Sequence, residues 1–111
     1  FFNLKENKIK KIDVKIDSLE EFMIEQSIDK IDILKIDTEG YEFEILQGLK
    51  NQIKVVDIIF FEHHYDDMIN KSYTYSDIHN LLKKNNFKKI FKSKMPFRKT
   101  FEYIYRNKVK I

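Results

Sequence analysis

The chain has 111 residues, of which 42% are apolar and 35% charged, with a formal net charge of +3. It contains no cysteine, which excludes disulfides and thiolate metal sites and favours a reducing, cytoplasmic setting. No apolar run approaches the ~20 residues of a membrane span, and Phe1-Phe2 gives way at once to Lys5, Glu6 and Lys8, so neither a membrane partner nor a signal peptide is expected.

Residues 10–16, KKIDVKI, alternate between apolar and polar, the period-two signature of a strand with one wet face. Asp17 or Ser18 then caps a helix. Each has a glutamate three positions on, Glu20 and Glu21, the spacing of a capping box. Leu19, Phe22 and Met23 form its apolar stripe. Residues 31–36, IDILKI, are the next strand, with apolar residues pointing both ways, as in a strand buried on both faces. Tyr41, Ile45, Leu46 and Leu49 share one face of a second helix, with Glu42 and Glu44 in its first turns and Gly48 at its end. Residues 55–61, VVDIIFF, are the strongest strand. A helix capped by Ser76 and carrying Ile78, Leu81 and Leu82 is stopped by Asn85-Asn86. Residues 88–93 and 100–106 form an antiparallel hairpin around Met95-Pro96-Phe97. The order β-α-β-α-β-α-β-β predicts one α/β domain whose sheet is mostly parallel with right-handed crossovers, closed by a C-terminal antiparallel hairpin.

The charge is uneven. Residues 71–111 carry twelve Lys/Arg against Asp77 and Glu102, a net +10, whereas residues 1–70 carry −7. Such a basic third suits either a solvated lysine-rich face or an anionic partner. It lacks the stacking-aromatic motif of RNA-binding modules, so nucleic acid is not the expected partner.

The segment LKIDTEGYEFEILQG raises the functional question. It places Asp37, Glu39 and Gly40 at the carboxyl end of a strand, where ligands bind in open α/β sheets. There Asp37 and Glu39 suit deprotonation of a hydroxyl or ligation of a divalent metal. Asp37 or Thr38 would equally serve as a helix cap. Lys35, inside an apolar strand, pairs with Asp37, Glu39 or Glu62, or else snorkels from an edge strand. Glu62, His63 and His64 follow the 55–61 strand. Adjacent residues on an extended chain face opposite ways, so one histidine at most joins Asp37, and each also suits a solvated loop. His79 reads as surface, and Tyr73 and Tyr75 as packing over a core edge.

The stretches IDILKIDTEGYEFEILQGL, VVDIIFFE and YSDIHNLLKKNNF resemble the C-terminal half of FkbM-type SAM-dependent methyltransferases. Lys35, Ile36, Asp37, Glu39, Gly40, Glu42, Leu46, Gly48 and Glu62 carry the resemblance. IDSLEEF resembles the segment before the helix that leads to this strand. Asn86-Phe87 stands where the family has Gly-Phe.

The resemblance implies a partial Rossmann-like class I methyltransferase fold with strand order 3-2-1-4-5-7-6. This chain would supply strands 3 to 7 and lack the first two strands and the glycine-rich SAM loop. Its only glycines are Gly40 and Gly48. The implied activity is O-methyl transfer to a sugar, glycan or small-molecule hydroxyl, with Asp37, Glu39, Lys35, Glu62 and His63 as catalytic candidates. The cofactor of the complete fold would be SAM, not gripped by this chain alone. The competing classes are a non-catalytic remnant that self-associates and a polyanion-binding module. A missing neighbour along 31–36 would leave an open strand edge, so a homodimer or larger homo-oligomer is expected.

Overall fold

The computed structural model describes residues 18–65 and 71–109. The expected strand over 10–16 and the alternative cap Asp17 lie outside them. The described elements are α1 (Leu19–Glu25), β1 (Ile31–Ile36), α2 (Glu42–Gln47), a 3-10 helix (Lys50–Val55), β2 (Val56–His64), α3 (Tyr75–Lys84), β3 (Phe87–Lys94) and β4 (Thr100–Asn107).

The four strands form one sheet in the order β1-β2-β4-β3. β1 runs parallel to β2, with Leu34 beside Ile59 and Ile36 beside Phe61. β4 lies between β2 and β3 and is antiparallel to both. The sheet is therefore mixed, with one parallel pairing among the described strands rather than a parallel majority. The hairpin's second strand, not its first, pairs with β2.

Ser18 begins α1 with the expected capping box, its hydroxyl accepting from the Glu21 amide and the Glu21 carboxylate accepting from the Ser18 amide. Met23 is buried, but Phe22 is 46% exposed and lies outside the apolar stripe expected of it. The Glu20 amide donates to the Gly48 carbonyl at 3.0 Å. A Cβ on Gly48 would sit 3.3 Å from the carbonyls of Glu44 and Ile45, a tight fit that a larger residue would meet only by a small shift of the backbone.

α3 starts earlier than expected. Thr74, not Ser76, is the N-cap, and Asp77 completes its capping box. Thr-x-x-Asp outcompetes Ser76 because it engages an amide from each partner. The helix ends at Asn85, with Asn86 at φ 68°, the left-handed conformation asparagine tolerates.

β2 runs three residues past its expected end. Glu62, His63 and His64 find partners in Glu102, Phe101 and Thr100 of the long β4, so the polar EHH stretch is strand rather than loop. Alternation then sorts its side chains. Ile59, Phe61 and His63 face the helices; Ile58, Phe60, Glu62 and His64 face away.

All the helices pack on one side. Met23, Leu46, Leu49, Ile53, Ile78 and Leu82 share a single core with Ile36, Ile59, Phe61, Tyr103 and Tyr105. Phe61 stacks between Tyr103 and Tyr105, with ring centroids 5.4 and 5.8 Å away. The tyrosine hydroxyls are satisfied inside: Tyr65 with Tyr103, Tyr75 with Tyr105, and Tyr105 with His79 Nδ1 at 2.6 Å. His79 is therefore a half-buried member of this network rather than a surface residue. Tyr73 and Tyr75 pack on the core as expected.

The burial of α1 gives a direct check. Met23→Ala should cost about 2 kcal/mol or more and Phe22→Ala about 1 kcal/mol or less, read from urea denaturation. The reverse order would mean that α1 is rotated from the orientation described.

Candidate functional site

The site is built at the carboxyl ends of β1 and β2. Because the two strands are parallel, both chains leave the sheet at the same end, and Ile36 lies beside Phe61. One residue further on, Asp37 and Glu62 come near enough for the charge of Asp37 to act on Glu62. The Glu62 carboxyl is held above its ordinary range, first by burial and then by the charges of Asp37 and Glu102. Glu102 is its antiparallel partner on β4.

His64 lies on the same face as Glu62. Its Nδ1 is within 3.0 Å of the Thr100 hydroxyl, and its charge acts on both Glu62 and Glu42. The structure thus brings together Asp37, Glu62 and His64, with Glu102 and Thr100 behind them. Sequence reasoning passed over Glu102 and Thr100, because the register of β4 against β2 is a long-range feature. Glu39 is exposed in the adjoining turn at φ 50°, followed by Gly40 at φ 107°. Only glycine is at ease at the second position.

Asp37 and Thr38 do not cap α2. Its N-cap is Tyr41, which makes no side-chain cap bond, so helical geometry begins only at Glu42. Glu42, expected in the first turn of the helix and found there, is 1% exposed. Tyr73 donates its hydroxyl to the Glu42 carboxyl, and the Gly40 amide donates to Glu42 Oε1 at 3.3 Å. Burial pushes this carboxyl up; the amide bonds and His64 oppose that.

Lys35 makes no ion pair among the described residues. It sits on an edge strand with its Nζ 5.5 Å from the centre of the Phe60 ring, the snorkelling arrangement. His63 is placed away from the carboxylates. It is 2% exposed on the helix side, among Tyr65, Tyr73 and Tyr75. One strand residue decides between the two histidines, and the one facing the acidic groups is His64. Among the described residues no group of three or more His, Cys, Asp or Glu is arranged to hold a metal ion. No helix among them is long and apolar enough to cross a membrane.

A family model described as the methyltransferase FkbM domain matches residues 1–89, well over half of the chain. The chain belongs to the FkbM methyltransferase family. No curated protein and no solved structure gives a significant match. Members of this family are generally SAM-dependent. At the β1–α2 turn the Gly40 amide is engaged by Glu42, and the Glu42 amide donates to the Tyr73 hydroxyl at 3.3 Å. These two backbone donors of the turn already have partners.

The burial of His63 has a consequence for pH. Desolvation, with the charges of Lys71 and His64, lowers its pKa from 6.5 to about 4, and its Nδ1 has no hydrogen-bond partner. The folded-state value lies below the unfolded one, so as pH falls the unfolded chain takes up the proton first. Stability should therefore be complete above pH 6.5 and decline toward pH 4, by up to about 3 kcal/mol for this group. His63→Phe should flatten that acid limb in denaturation curves between pH 7 and 4. An unchanged limb would show that His63 is not the group responsible.

Proposed function

We propose that this chain forms the acceptor-facing part of a SAM-dependent O-methyltransferase. The acceptor is a sugar, glycan or small-molecule hydroxyl. The observation that carries this reading is the placement of Asp37 and Glu62 just beyond the paired Ile36 and Phe61 of two parallel strands, in a chain of the FkbM family. The strand adjacency β1-β2-β4-β3 supports it, since it matches the 4-5-7-6 end of the strand order that the resemblance implies.

In this reading Asp37 and Glu62 position the acceptor at the strand ends. His64, oriented through Nδ1 by Thr100, takes the hydroxyl proton as the oxygen becomes nucleophilic. The exposed Glu39 rims the site, and Lys35 stays at its mouth over Phe60. SAM, when bound, supplies the methyl group as an electrophile. In this reading the chain alone does not grip SAM, since its only glycines are Gly40 and Gly48 and it carries no glycine-rich loop.

Two measurements test this. Titration calorimetry of the chain with SAM should show no binding tighter than roughly millimolar, about −4 kcal/mol. Micromolar binding would contradict the claim that the chain alone lacks a grip. In a longer family member with the same Lys-Ile-Asp-x-Glu-Gly turn, the change equivalent to Asp37→Ala should abolish transfer while SAM still binds. A fully active variant would end the acceptor-site reading.

A further inference from the structure

The turn that joins β3 to β4 reaches past the carboxyl end of β2, where the Tyr65 amide donates to the Lys99 carbonyl at 2.8 Å. It lies outside residues 1–89, which the family model matches. The Arg98 amide reaches back to the Met95 carbonyl at 3.4 Å, with Pro96 and Phe97 between them, and Phe97 has φ 59°. That is the pattern of a type II turn, in which the position of Phe97 normally goes to glycine or asparagine. Here it holds a large apolar side chain that is fully exposed, beside an exposed Pro96 and a half-buried Met95. A bulky residue in left-handed backbone gains nothing there from packing against the described residues. On the strand ends and turn beside it stand Lys92, Lys94, Arg98 and Lys99, all exposed and none in an ion pair among the described residues. The Lys92 Nζ lies 4.9 Å from the centre of the Phe101 ring. Counting Asp66 and Asp67, which follow Tyr65 in sequence, still leaves these segments positive.

We propose that this tip docks the protein on an anionic lipid surface. Phe97 enters the boundary between headgroups and acyl chains, and the four cations bind the headgroups. Such a boundary takes up an exposed aromatic ring with a cationic collar because apolar burial and attraction to anionic lipid act together. Lysines on an edge strand serve by themselves to keep β3 from pairing with another chain. That role gives Phe97 no use. A nucleic-acid duplex would engage the cations and leave Phe97 in water. Docking of this kind needs no membrane-crossing helix. The charge distribution sets its orientation. Asp37, Glu39 and Glu62 gather at the β1–β2 corner, with Glu62 two residues back along β2 from the His64–Thr100 row. An anionic surface repels these carboxylates as it attracts the turn. The molecule therefore leans on its β3–β4 corner and holds the carboxylates clear of the lipid. This inference does not rest on the methyl-transfer reading.

The chain has no tryptophan, so Phe97→Trp supplies a single reporter at the tip. With vesicles of equal parts phosphatidylserine and phosphatidylcholine in low salt, its emission should shift to the blue, and brominated acyl chains should quench it. Vesicles of phosphatidylcholine alone should do neither. In co-sedimentation of the unmodified chain with the anionic vesicles, Phe97→Ser should lower the partition coefficient about tenfold and Arg98→Ala about fivefold. Both side chains are exposed, so neither change should disturb the fold. Added salt should weaken binding. No binding to the anionic vesicles overturns the proposal. So does binding that leaves the tryptophan emission unshifted and ignores Phe97→Ser, which would be adsorption by charge alone. So does binding to duplex DNA that Phe97→Ser weakens as much as it weakens binding to vesicles, which would make the tip a nucleic-acid contact.

Discussion

The rest of the structure depends on the two-residue period of β2. It is the one strand with a parallel neighbour on one side and an antiparallel neighbour on the other. Every second side chain is committed to the helix-covered core. Ile59 and Phe61 are fully buried there, and Phe61 organises the tyrosines of β4 around itself. The intervening residues, Phe60, Glu62 and His64, are thereby forced onto the other face. A slip of one residue would exchange the two sets, driving Glu62 into the core and exposing Phe61.

That constraint also makes the site. Parallel pairing with β1 brings Asp37 beside Glu62, and antiparallel pairing with β4 brings Thr100 and Glu102 to the same place. The acidic groups gather because three chain segments end their pairing together, not because they are close in sequence. Burial and mutual repulsion then raise the Glu62 carboxyl. The same alternation sets His63 apart from the carboxylates, buried among tyrosine rings where desolvation lowers its pKa to about 4.

Much of this was legible in the sequence. The β1 strand was expected at residues 31–36 and lies there, because its apolar run is bounded by a turn and by the Asp37-Thr38-Glu39-Gly40 stretch. The Ser18 box, the Asn86 cap and the hairpin were also readable, since each is set by local chemistry. What escaped depended on tertiary pairing. The EHH stretch reads as a polar loop until β4 offers it partners. Glu42 reads as a dipole-stabilising charge until Tyr73 closes over it. Ile33 reads as doubly buried, yet no described helix packs on its side of the sheet. The choice between His63 and His64 turns on one residue of register, which sequence alone left open.

Chemical labelling of the histidines reads that register most directly. Carbethoxylation of the folded chain followed by peptide mapping should modify His64 and spare His63, with both reacting after denaturation. Equal reactivity of the two in the folded chain, or reaction of His63 alone, would contradict the alternation of β2 on which the site and the core both depend.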